Sequence, residues 1–162
     1  MRTPLLKHSR GLTFLEVITV LALISTLALV VVTRQRSSSS NLPARLKILR
    51  THMRYAQSRA MNSDTAWGIQ IGNNGTTYRL FNSTNTGIDQ NLPGEDTDVV
   101  DLSVFGLSTE QADFTVSFDG WGRPCSDTSG TSPYSADQTL TMKDRGGNSQ
   151  SLIITRNTGF IR

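Results

Sequence analysis

The chain has 162 residues, 16 basic and 13 acidic, for a formal net charge of +3. That length suits one domain with an appendage, and a single cysteine, Cys125, excludes an intramolecular disulfide framework. Its two histidines, His8 and His52, show no metal-ligand spacing and leave only His52 for a hydrolase-type triad, so the sequence argues against an enzyme and implies no cofactor.

The charge is unevenly spread. Residues 1–10 carry Arg2, Lys7, His8 and Arg10, and Gly11 follows. Residues 34–59 hold seven basic residues and no acids, whereas residues 64–144 hold 12 acids against Arg79, Arg123 and Lys143. A basic stem therefore carries a mostly acidic head.

Between the basic start and the stem runs L-T-F-L-E-V-I-T-V-L-A-L-I-S-T-L-A-L-V-V-V, residues 12–32, in which Glu16 is the only charge. As an α-helix these 21 residues would be about 31 Å long, matching a hydrocarbon core of roughly 30 Å. Lipid offers backbone groups no partners, so a single spanning segment must be helical. A membrane anchor and an uncleaved signal sequence both fit. A secretory signal has its small-residue cleavage site after the apolar run; here Gly11 lies before it, so a cut there would leave the anchor on the chain. An acid inside such a segment is costly and marks a functional position, which singles out Glu16.

Beyond the anchor, residues 34–41 read R-Q-R-S-S-S-S-N, either a flexible break or a frayed continuation of the helix. Asn41 offers an N-cap and Pro43 suits a first turn. Leu42, Leu46, Leu49, Met53, Ala56 and Ala60 then recur at 4-3-4-3-4 spacing, one face of a helix. Short strands follow. Residues 67–71 and 78–81 flank G-N-N-G, a hairpin turn; residues 82–98 read as a polar loop; residues 99–105 and 114–118 are the next strands. Residues 120–136 form another loop, with G-W-G-R-P read as a tight turn whose Trp121 packs on the domain. Residues 139–142 and 152–155 flank R-G-G-N, a second hairpin turn, and residues 160–161 end the chain as a short strand. A helix with one apolar stripe must bury it, and a sheet is the available partner.

The stretch Gly11-Leu12-Thr13-Phe14-Leu15-Glu16 behind a basic leader resembles the start of type IV pilins and type II secretion pseudopilins. M-R-Y-A-Q-S-R-A-M at 53–61, F-D-G-W-G-R-P at 118–124 and the terminal G-F-I-R are similar to the GspH/FimT group of minor pilins. Residues 118–124 look most like members of the mannose-sensitive haemagglutinin pilus system. The resemblance implies an α+β fold: a long N-terminal helix, membrane-spanning in its first half, packed on an antiparallel β-sheet head. It divides the chain into a leader (1–11), a transmembrane helix (12–33), a stem helix (34–61) and a β-rich head (62–162). It implies cleavage between Gly11 and Leu12 by a prepilin peptidase, N-methylation of Leu12 (where the family more often has Phe), and a subunit-assembly role for Glu16 through a neighbour's terminal amine. The expected partners are that peptidase, other pilin or pseudopilin subunits and, before assembly, the bacterial inner membrane, with the head in the periplasm. Removing Arg2, Lys7 and Arg10 with the leader would leave 13 basic against 13 acidic residues.

Two further constellations arise. Glu95, Asp96, Asp98 and Asp101 form an acidic cluster that reads as a solvated loop, with loose Ca²⁺ binding the less favoured alternative. Some FimT-like minor pilins bind DNA through a C-terminal Gly-Arg-x-Arg. This chain keeps Gly159 and Arg162 but has Phe160 at the first Arg position, which leaves Arg145, Arg156 and Arg162 as the phosphate patch of a DNA-uptake alternative.

Overall fold

The computed structural model describes residues 14–35, 41–84 and 91–162, with the side chains of the first helix as far as Leu27. The described residues fall into two units, one within 1–37 and one within 38–162. Helix α1 (Phe14–Gln35) occupies most of the expected anchor. Its large apolar side chains from Phe14 to Leu27 are exposed. The hydroxyls of Thr19, Ser25 and Thr26 donate to the carbonyls of Glu16, Leu21 and Leu23 at 2.7–2.8 Å, so these polar atoms are satisfied within the helix itself. Among the described residues no helix is long and apolar enough to cross a membrane. Gly11 and Leu12 lie outside the described residues, as do residues 36–40 of the stem junction.

In the second unit, helix α2 (Asn41–Met61) starts at Asn41, and all six residues of its 4-3-4-3-4 stripe are buried. Leu49, Met53 and Ala56 have no exposed surface. Burying each Leu or Met of this stripe stabilises the fold by about 1.5–3 kcal/mol. The small residues Ala56 and Ala60 let the last turns approach the sheet closely.

The stripe packs on two antiparallel sheets rather than one. The first has order β3-β2-β1-β5-β6, with β1 (Trp67–Gly72), β2 (Thr77–Asn82), β3 (Val99–Asp101), β5 (Phe114–Phe118) and β6 (Pro124–Cys125). The second has order β4-β7-β8, with β4 (Leu107–Thr109), β7 (Gln138–Asp144) and β8 (Ser149–Ile154). Helix α2 touches β1 and β5 of one sheet and β7 and β8 of the other. Buried Thr109 ties the sheets together: its backbone N–H and its hydroxyl both donate to the carbonyl of Gly75, in the β1–β2 turn.

The two hairpins stand where their turn residues placed them. Asn73 and Asn74 adopt positive φ, which Asn tolerates better than most residues. Residues 99–105 are not one strand. The Asp101 carboxylate accepts from the backbone N–H and the hydroxyl of Ser103, at 2.8 and 2.6 Å, and turns the chain into a 3₁₀ helix (Ser103–Phe105) before β4. The loop at 120–136 contains the two-residue strand β6, and the terminal strand reduces to a bridge between Ile161 and Ile154.

Candidate functional site

Three stretches far apart in sequence meet at the C-terminal end of α2. The Gln57 Nε2 amide donates to the carbonyls of Gly122 and Thr158, both at 2.9 Å. One turn earlier, Arg54 Nη2 donates to the carbonyl of Ile161 at 3.0 Å, and its guanidinium lies 5.9 Å from the Phe160 ring centroid. Gly159 has φ +61, and a Cβ there would collide with the Gly122 carbonyl, so this close approach requires glycine. The segments that carry the GspH/FimT likeness are thus one junction, not three separate features.

Asp119 organises the turn. Its Oδ1 accepts from the backbone N–H groups of Trp121 and Arg123, and its Oδ2 accepts from Arg123 Nε at 2.8 Å. Trp121 is not packed on the domain: it is 81% exposed. The reason is geometric, since the Asp119 carboxylate and the positive φ of Gly122 hold the turn with the indole directed outward. Phe160 and Met61 are also more than half exposed, and they flank the same Gly122–Gly159 contact. The junction thus presents three exposed apolar side chains, Trp121, Phe160 and Met61.

Midway along α2, His52 is buried between Tyr78 Oη, 3.0 Å from Nδ1, and the Pro93 carbonyl, 3.2 Å from Nε2. A carbonyl can only accept, so Nε2 carries the proton and Nδ1 accepts from the tyrosine. Burial lowers the His52 pKa and raises that of Tyr78, so both are neutral at pH 7. Next to them Arg45 pairs with Glu95 at 3.4 Å and stacks 3.4 Å above the Phe105 centroid. This polar cluster pins the loop at Pro93 to the helix. With both ring nitrogens engaged, His52 is a structural group rather than a general base. Cys125 is buried, and burial pushes its thiol up to about 11, against a reactive thiolate.

The remaining sequence-predicted residues are dispersed. Glu16 lies in the first turn of α1. Arg145 follows β7 at the hairpin turn, where its N–H donates to the Gly106 carbonyl. Arg156 sits past the opposite end of β8, its Nη1 donating to the Ser135 carbonyl. The Gln138–Ile154 to Lys143–Ser149 register separates these ends by roughly 17 Å. Arg162 pairs with Ile153 through the backbone, at the same end as Arg156. In the acidic cluster Glu95 faces Arg45 and Asp101 faces Ser103. Among the described residues no three His, Cys, Asp or Glu side chains converge on a metal-sized site.

Sequence reasoning missed the roles of Gln57, Asp119 and His52. Asp two residues before Trp in D-G-W-G is an Asx-turn signal that could have located the turn. Nothing local marks Gln57, whose partners lie 65 and 101 residues away.

No protein-family model and no curated protein matches this chain. Two crystal forms of the type IV minor pilin FimU from Pseudomonas aeruginosa are similar in structure. One has 18% identity and a TM-score of 0.51, covering 75% of this chain and 90% of that one; the other has 17% and 0.53, covering 76% and 88%. The fold is pilin-like: a helix laid across antiparallel sheets.

Proposed function

We propose that this chain is a minor pilin or pseudopilin, a structural subunit of a type IV pilus or type II secretion pseudopilus. The observation that carries the reading is the pilin-like fold, with α2 clamped across the head, in a chain whose residues 1–16 resemble a basic prepilin leader followed by Gly11 and Glu16. A helix exposing apolar side chains from Phe14 to Leu27, with its hydroxyls satisfied internally, supports an apolar environment for α1, first the bacterial inner membrane and then a filament core. In this reading a membrane prepilin peptidase cuts between Gly11 and Leu12 and Leu12 is methylated. The resulting α-ammonium of a neighbour meets Glu16, because opposite charges in apolar surroundings each need a partner. In this reading residues 12–33, the first two of which lie outside the described residues, hold the chain in the membrane, with the head in the periplasm.

The DNA-capture alternative has less support. The β7–β8 hairpin separates Arg145 from Arg156, and Phe160 occupies the position of a motif Arg. The processing step is the sharpest test. Mass spectrometry of the chain co-expressed with a prepilin peptidase should give a polypeptide beginning at Leu12, one methyl heavier if methylated. An intact Met1 terminus, or a cut after the apolar run, would refute it.

A further inference from the structure

Helix α2 has two flanks of different charge chemistry. On one, Arg45 is paired with Glu95, the first acid of a segment that continues through Asp96, Asp98 and Asp101. On the other, a cleft of about 260 Å³ opens between α2 and β8, where Lys47, Arg50, Arg54 and Gln150 face one another and Pro43 and Leu46 close it. At about 100° per residue, positions 47, 50 and 54 lie within about 60° of one another and on the far side of the helix from position 45. No acid lines the cleft. Arg50 is the informative member: its Nε is buried and makes no hydrogen bond among the described residues. With Lys47 and Arg54 beside it and no acid among the lining residues, the cleft concentrates positive charge that a carboxylate would offset.

We propose that this cleft is a carboxylate-binding site that receives an acidic side chain from residues 95–101 of a second copy of the chain. This deepens the assembly reading above and rests on it. Charge complementarity identifies the occupant. The cleft presents three cations without an acid, and the same molecule exposes Asp96 and Asp101 in the segment whose Glu95 pairs with Arg45, a residue on the far side of the helix from the cleft. Because donor and acceptor surfaces differ, the contact is heterologous. Each copy offers a cationic cleft and a separate acidic segment, so the contact repeats from copy to copy in an open array instead of closing in a two-fold dimer. Arg54 already gives one N–H to Ile161, so Lys47 and Arg50 supply the free donors.

Site-directed cross-linking of the full chain in detergent micelles tests this without peptidase or filament. The buried native thiol of Cys125 contributes little background. Thr51→Cys, at the cleft, and Thr97→Cys, in the acidic segment, are placed on separate chains and mixed under mild oxidation. Mixed disulfide dimers should exceed the statistical share, fall about tenfold when Arg50→Glu is added to the Thr51→Cys chain, and decline with added salt. Adding Asp96→Lys to the Thr97→Cys chain should restore cross-linking to the Arg50→Glu partner, which also shows that the variant is folded. Three results overturn the proposal: a purely statistical dimer yield, yields indifferent to Arg50→Glu, or no preferred cross-link together with Arg50-dependent retention of duplex DNA, which would assign the cleft to phosphates. Because the unprocessed chain is used, a preferred cross-link with no peptidase cleavage would count against the pilin reading alone.

Discussion

Gln57→Ala should loosen the junction on which the head's exposed apolar patch is built. The side chain makes two amide–carbonyl hydrogen bonds at 2.9 Å, and each is worth about 0.5–1.5 kcal/mol net. The Thr158 carbonyl bond is exposed, so water replaces it readily. The Gly122 carbonyl is partly buried and faces the Gly159 backbone, so losing its donor falls nearer the upper end. Together these give about 2 kcal/mol, which for a domain of this size lowers Tm by about 8 °C. Gln57→Glu is the sharper variant, because an ionised carboxylate can only accept and would oppose two carbonyl oxygens. Its loss should exceed that of Gln57→Ala at pH 7 and shrink as pH falls toward the usual glutamate range near 4.3. Thermal unfolding of the full chain in detergent, followed by near-UV signal from the tryptophans, reads both. A Gln57→Ala shift under 2 °C, or a Gln57→Glu variant as stable as Gln57→Ala, would falsify the clamp.

His52 predicts a pH dependence. Its folded pKa is lowered by burial, so its contribution to stability is fully present above about 6.5 and is lost as pH falls below that value. Wild-type stability should therefore drop as pH falls below about 6.5, by up to about 1.4 kcal/mol per unit, and a His52→Phe variant should lose that part of the slope; denaturant titration on either side of pH 6.5 measures it. Trp121→Ala should leave Tm unchanged within about 2 °C, since an exposed side chain contributes within about 0.5 kcal/mol, yet it should lower the amount of this subunit recovered in sheared filaments. A large Tm loss would mean that the indole packs on the head.

The division of the fold was legible where periodicity is long. The stripe from Leu42 to Ala60 has one geometric reading, and all six positions are buried. The hairpins at Asn73 and Gly147 were legible because positive φ demands Gly or Asn. Short elements were not. Val99, Val100, Leu102, Val104 and Phe105 look like one strand until the Asp101 carboxylate captures Ser103, a contact that composition cannot show. Strand β4 is three residues long and exists because β7 pairs with it, so the partition into two sheets is a tertiary outcome. Of the candidate site, the motifs at 53–61, 118–124 and 159–162 were visible, but their convergence was not, because Gln57 and Arg54 bind main-chain carbonyls that carry no side-chain signature. The outward Trp121 was misread for a related reason: its direction is set by Asp119 and Gly122, not by its own hydrophobicity.

The central claim, that this chain is a structural filament subunit held by its N-terminal helix, is tested most directly by incorporation of Glu16→Gln. Filaments sheared from cells expressing wild-type or Glu16→Gln chain are compared by quantitative immunoblot, alongside the membrane fraction. We expect equal amounts of both chains in membranes, wild-type chain in filaments, and at least a severalfold deficit of Glu16→Gln there. A wild-type chain absent from every filament preparation, or a Glu16→Gln chain incorporated at the wild-type level, would contradict the account.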